Sequence, residues 1–144
     1  MTKPVENFGG NVRFTPASYY QPKTEQDLLD ILARHRNGSI RVGGSRHAWS
    51  DAISCEDVFV EMGHFQQIRI HPSDEHGKHL VTVGAGCQIK TLLRRLNEHG
   101  LTIPSVGLID EQTIAGAVGT GTHGSGRHCL SHFVVSLRVA CYNE

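Results

Sequence analysis

Two glycine-bearing stretches of this 144-residue chain hold the side chains best suited to chemistry. The first is Gly43-Gly44-Ser45-Arg46-His47-Ala48-Trp49-Ser50-Asp51, which follows the run Ile40-Arg41-Val42. Adjacent glycines let successive backbone N–H groups converge into a nest for an anion. Ser45 adds a hydroxyl donor, Arg46 a guanidinium fork that grips phosphate oxygens, and His47 an imidazole. The same residues also read as a tight turn with an exposed histidine, and composition does not separate the two.

The second stretch is Gly116-Ala117-Val118-Gly119-Thr120-Gly121-Thr122-His123-Gly124-Ser125-Gly126, which contains a literal G-x-G-x-x-G at Gly119, Gly121 and Gly124. In a dinucleotide-binding unit that pattern lies between the first strand and first helix, with an acid ~20 residues later. Here it comes late in the chain, and Arg127–His132 makes a poor helix. A different use fits the composition. Small residues let the backbone press against a flat ligand, while hydroxyls and amides bind it. A third cluster, His123, His128, Cys129 and His132, has a spacing that matches no common zinc framework. It reads as scattered surface histidines, with no metal expected.

These segments need elements to hold them. Residues 1–23 form a proline- and glycine-rich arm with a short strand at Val12–Phe14. Thr24-Glu25-Gln26-Asp27 resembles a capping box and opens a helix striped by Leu28, Ile31 and Leu32, ended by Asn37-Gly38. Strands are predicted at Ile40–Val42, Asp57–Met62, Gln66–Ile70 and Leu80–Val83. Ile89, Leu92, Leu93 and Leu96 stand at helical spacing, with Gly100 as the stop and the leucines as core. Residues 101–126 show little periodicity, and Phe133–Tyr142 predicts a late strand. Trp49 is expected in the core or at a subdomain interface, and Ser73–Lys78 in a solvated loop. The irregular alternation predicts an α+β fold with a mixed sheet.

Composition narrows the function classes. Lys plus Arg and Asp plus Glu are both 14, so the chain offers no electrostatic footprint for nucleic acid. No apolar run approaches the ~18 residues of a membrane span. The four cysteines are widely spaced, and free buried thiols in a reducing compartment are expected, two bridges being conceivable. The first twenty residues show no signal-peptide pattern, so a cytoplasmic location is expected. The stop after a predicted strand suggests a fragment of a longer protein.

Taken together, Gly44–Asp51 after a strand, Val81-Thr82-Val83-Gly84-Ala85-Gly86, the helix ending in Asn97-Glu98-His99-Gly100-Leu101, and Thr113–Ala117 leading to Gly121-Thr122-His123-Gly124 resemble, in this order, the flavin-binding half of the vanillyl-alcohol oxidase (PCMH-type) superfamily. The branch most similar is that of the aldonolactone and alditol oxidases, over roughly residues 15–142. The resemblance implies an α+β, two-subdomain PCMH-type FAD-binding fold of small mixed sheets flanked by helices. Subdomain one would cover about 15–72 and subdomain two about 73–144, the latter incomplete. It implies FAD, held by Val42, Gly43, Gly44, Ser45, Arg46, His47 and Ala48 on one side. Gly107, Thr113, Gly116, Thr120, Gly121, Thr122 and His123 would line the other. In this branch the histidine matching His47 is bonded to the 8α carbon of the flavin. Ala48 departs from a frequent serine and leaves that histidine in place. The activity implied is oxidation of a CH–OH group of a sugar lactone or polyol, with electrons passing to O2 or another acceptor. The substrate domain and catalytic side chains of such enzymes would lie beyond residue 144, so no catalytic acid or base is assigned. Apolar surface is expected to be exposed where those parts would pack. The rival readings are a non-catalytic, truncated flavin-binding module and a histidine-rich metal-binding domain.

Overall fold

A short antiparallel hairpin opens the chain, β1 (Val5–Glu6) pairing with β2 (Arg13–Phe14) through Val5↔Phe14 and Glu6↔Arg13. In the computed structural model, which describes residues 2–142, it is followed by β3 (Ser18–Tyr20), α1 (Glu25–Arg34), β4 (Ile40–Gly43) and β5 (Val58–Glu61). Strand β5 lies between β3 and β4 in an all-parallel sheet. Helix α1 starts where the sequence places it. The Thr24 hydroxyl accepts from the Asp27 N–H at 3.0 Å, and the Asp27 carboxylate accepts from the N–H groups of Lys23 and Thr24 at 2.9 and 3.0 Å. Aspartate thus completes the capping box in place of the usual glutamate.

The middle strand is apolar at successive positions because both faces of the sheet are covered. Val58 and Val60 pack against Ile31 and Leu28 of α1, with Tyr20, Ile40 and Met62 around them. Phe59 points the other way, into Val5, Val12 and Ile53, with Phe14 and Tyr19 against it. The opening hairpin is therefore a lid on one face of the sheet. Strand β2 lies within the short strand expected at Val12–Phe14; its partner β1 was not expected, because an element of two residues is fixed by pairing and carries too little pattern to be read alone.

This first compact unit runs to His64 and takes in the segment from Ser136; the second is Phe65–Val135. In the second, β6 (Ile68–Ile70) pairs antiparallel with β7 (Val81–Val83). Parallel and antiparallel pairing thus coexist in the chain, each within its own sheet. The connecting turn is exposed, and the Asp74 carboxylate accepts from the N–H groups of His76 and Lys78. Helix α2 (Ile89–Asn97) buries Leu92 and Leu96 beside Cys87, against Ile68, Ile70, Val81 and Val83. Gly100 adopts φ +68°, the left-handed conformation that glycine takes without a Cβ penalty, and reverses the chain.

A six-residue helix, α3 (Ile114–Gly119), lies within the stretch read as unpatterned. It buries Ala117 against Ile89 and Leu130, and one small buried side chain leaves no apolar stripe to detect. A 3-10 turn follows at Leu130–Phe133. The strand expected over Phe133–Tyr142 is absent. Beyond that turn no residue of the segment pairs with another strand among the described residues, and a strand without a partner leaves its ladder groups unmet. Val135, Leu137 and Val139 are 75%, 71% and 71% exposed. All four cysteines are free, Cys55 and Cys87 buried, Cys141 exposed. Burial pushes the Cys87 thiol up from its ordinary range. No helix among the described residues is long and apolar enough to cross a membrane.

Candidate functional site

In the first unit the loop after β4 sits on Phe59. A Cβ at Gly43 would run into that ring, so only glycine lets the strand end this close to the core. The Gly43 carbonyl accepts from the Met62 N–H at 3.1 Å, which extends the pairing with β5. Arg46 then adopts φ +60°, the only positive φ of a non-glycine residue among those described. For an L-residue that region costs energy and is kept where the surroundings enforce it. His47 follows, its ring stacked on Phe8 with centroids 4.3 Å apart and planes 22° apart. Its Nδ1 is buried and has no hydrogen-bond partner. A buried nitrogen left unmet costs on the order of 1–3 kcal/mol.

The loop is held by the opening hairpin. The Phe8 N–H donates to the Arg46 carbonyl at 2.9 Å. The Asn7 amide donates to the Ala48 carbonyl at 2.9 Å, and the Asn11 amide to that of Trp49 at 3.1 Å. Sequence reasoning did not single out Asn7, Phe8 or Asn11. The run Asn7-Phe8-Gly9-Gly10-Asn11 signals a turn, but nothing local says that it meets residues some forty positions on. Trp49 corrects an expectation: it is 61% exposed, neither a core residue nor closed off. Its ring lies over Gly9 and meets Phe8 edge-on at 6.2 Å. Val42, also among the expected ligand residues, is 60% exposed.

In the second unit the glycine-rich segment is held by its own backbone and by the start of α2, where the Ile89 and Lys90 N–H groups donate to the Gln112 and Asp110 carbonyls and the Ile114 N–H donates to that of Cys87. Gly107 and Gly124 stand where a Cβ would collide with the Thr122 methyl and with the Val106 carbonyl, so the strips around 106 and 123 run in near-backbone contact. Thr113 is buried at the start of α3 and bridges to Gln88. The Thr120 hydroxyl donates to the Gly116 carbonyl at 2.9 Å, and the Thr122 N–H to that of Ala117 at 2.9 Å. Gly121 turns the chain at φ +66°. Around Gly119 and Gly121 the space a Cβ would enter is open. The Thr122 hydroxyl donates to the Gln112 side-chain Oε1 at 3.3 Å, and the exposed His123 ring donates to the Gly124 carbonyl at 2.8 Å. Ser105, which the sequence did not mark, has a buried hydroxyl without a partner. Each group of expected residues thus lies together within its own unit.

The histidine-rich segment has another form. His128 and His132 stack at 4.0 Å, and no three His, Cys, Asp or Glu side chains are placed to share a metal among the described residues. Cys129 lies 3.0 Å from the Ser131 hydroxyl, whose hydrogen bond holds its thiol below the ordinary range.

Residues 16–143 match the family described as FAD binding domain. The chain belongs to this family of FAD-binding domains. Among proteins similar to it is a long-chain alcohol oxidase from an uncultured marine euryarchaeote, 50% identical over 139 residues, covering 96% of this chain and 28% of the relative. An L-gulonolactone oxidase of Mus musculus is 32% identical over 137 residues, covering 93% of this chain and 30% of that one. This FAD-binding domain thus spans between a quarter and a third of these relatives. Among solved structures, cholesterol oxidase from Brevibacterium sterolicum superposes with a TM-score of 0.76 at 21% identity, over 87% of this chain and 24% of that one, a likeness of fold.

Proposed function

We propose that this domain binds FAD through the loop Val42–Ala48 and the segment Gly107–His123, and that it serves a flavin-dependent oxidoreductase acting on a CH–OH group. The observation that carries the reading is His47. In a chain that matches the FAD-binding family, an imidazole stands after a glycine pair, its ring fixed and one buried nitrogen unmet. Such an atom suits a site that a bound group completes. The open backbone at Gly119 and Gly121 suits the face of a flat ring system, and the hydroxyls of Thr120 and Thr122 stand beside it. Arg46 and Ser45 supply charge and a hydrogen bond for a pyrophosphate.

His47 is the residue we assign to covalent attachment. An imidazole nitrogen of His47 would hold the flavin at its 8α carbon. When bound, FAD supplies the acceptor for a hydride from the alcohol carbon. The protein's part is to orient the ring system, keep its diphosphate neutralised and prevent its loss.

Two substrate classes divide the relatives. The long-chain alcohol oxidase is 50% identical, and the lactone and alditol oxidases lie between 29% and 36%. Leu108, fully exposed next to Gly107, places apolar surface in the second segment. Both observations favour an apolar primary alcohol over a sugar lactone or polyol.

The test uses protein expressed from its complete reading frame. Acid-precipitated and washed, it should stay yellow, with FAD on the peptide that holds His47, and His47→Ala should release all flavin on precipitation. A protein that binds no FAD rejects the reading; flavin that is wholly acid-soluble rejects the covalent bond alone. Turnover of 1-dodecanol measured beside an aldonolactone and xylitol separates the substrate classes.

A further inference from the structure

We propose that the turn of the β1–β2 hairpin is a brace that sets the His47 ring, with Asn7 as its positioning residue. The proposal rests on the reading that His47 carries FAD. Three carbonyls of the loop, those of Arg46, Ala48 and Trp49, accept hydrogen bonds, and all three donors come from the turn: Phe8 N–H, Asn7 Nδ2 and Asn11 Nδ2, at 2.9, 2.9 and 3.1 Å. Asn7 is 4% exposed and its amide is fully engaged. Besides the Ala48 bond, Nδ2 donates to Asn11 Oδ1 at 2.8 Å, and Oδ1 accepts from the Val12 N–H at 3.1 Å. One buried side chain therefore closes the turn and ties it to the loop.

Phe8 does the second half of the work. It is 64% exposed, so burial does not account for it, yet it stacks flat on the His47 imidazole. Its N–H holds the carbonyl of Arg46, the residue in the left-handed conformation immediately before His47. A strained backbone persists where neighbours over-determine it, and here the neighbour is the turn. A ring stacked on one side, on a backbone pinned before and after it, loses the rotamer freedom that would otherwise carry its nitrogens off target. Reactions between held groups are sensitive to displacements of about 1 Å.

The experiment compares wild type, Asn7→Ala, Asn11→Ala and Phe8→Leu, made in the complete reading frame, with His47→Ala to assign the ring signals. Two quantities are read below the unfolding transition: the rate at which apoprotein mixed with FAD becomes acid-precipitably yellow, and the NMR shifts of the His47 ring protons in apoprotein. The brace predicts an attachment rate lowered roughly tenfold or more in Asn7→Ala. It also predicts His47 ring protons that move downfield as the stack with Phe8 is lost. Thr24→Ala, which weakens α1 in the same unit, should change neither quantity. The brace stands only if rate and shift change together; an unchanged rate or an unchanged shift overturns it. If Asn7→Ala gives no soluble protein, Asn11→Ala and Phe8→Leu decide by the same rule, since both side chains lie outside the core. If wild-type flavin proves wholly acid-soluble, the attachment reading fails separately, and the ring shifts alone uphold or overturn the brace.

Discussion

The loop around His47 and the strip around Gly121 are both glycine-rich, and they are stabilised in different ways. The loop takes its fixing bonds from a turn about forty residues earlier in the chain, with Asn7 and Phe8 as the contacts. The strip takes bonds from within a few residues, Thr120 to Gly116 and Thr122 to Ala117, and from more distant parts of its own unit, Gln112, Leu130 and the Val106 backbone that lies on Gly124. Side chains of a distant turn can set the direction of a ring. Backbone packed on backbone instead makes a smooth, stiff surface.

The largest break in this comparison should come from the floor of the loop. Phe59→Ala removes a ring buried among Val5, Val12 and Ile53 and beneath Gly43, and is expected to cost about 3–5 kcal/mol by urea unfolding. Flavin attachment should fall with it, because hairpin and loop share that floor. In the strip, Gly124→Ala forces a methyl group onto the Val106 carbonyl. A loss of about 2 kcal/mol is expected by the same measurement, with the His47 ring-proton shifts of the apoprotein unchanged if the two regions are set independently.

Thr24→Ala serves as the control outside both regions. Losing the cap should lower the unfolding free energy by about 1 kcal/mol and leave flavin loading as in wild type. The pH dependence of the cap has a defined sign. The Asp27 carboxyl is held below its ordinary value by the N–H groups of Lys23 and then Thr24. Its stabilising share is therefore present above the unfolded-state value and is lost as pH falls through the lower folded-state value. The gap between Asp27→Ala and wild type should therefore narrow in that acid range and stay constant at neutral pH, whereas Thr24→Ala keeps both N–H groups.

The smallest effects sharpen the contrast most. Arg46→Gly relieves a left-handed φ but adds freedom to the unfolded chain, for a net gain of about 0.5 kcal/mol in thermal unfolding. If the turn rather than the residue type sets the loop, the His47 ring-proton shifts should stay as in wild type, while FAD affinity falls with the loss of the guanidinium. Gly119→Ala meets open space at the end of α3, so stability should hold or rise by up to about 0.5 kcal/mol. FAD affinity measured by fluorescence titration should nevertheless drop, because the added methyl group stands on the surface assigned to the ligand. Unchanged affinity would remove Gly119 from that surface.

Much of the scaffold was legible in the chain. The capping box at Thr24, the leucine spacing of α2 and the valines of β5 are local patterns with a period, and periodicity survives without tertiary context. The site was legible in part. The pair Gly43-Gly44 before Ser45, Arg46 and His47 marks a tight turn, which composition reads equally as an anion nest or as a plain turn. Helix α3 was not legible, since its single buried alanine makes no stripe, and the expected strand after Phe133 failed because alternation cannot supply a partner edge.

By itself, then, the sequence determined which residue types stand in the two glycine-rich segments, and the regular elements whose signals are local: caps, stripes and turns. Tertiary structure alone decided that Asn7 and Phe8 hold His47, that Trp49 stays exposed, and that Gly43 and Gly124 can carry no side chain. The physical reason is range. A cap or a stripe is made by neighbours within one or two turns, whereas the direction of a ring and the room for a methyl group depend on atoms that only folding brings near.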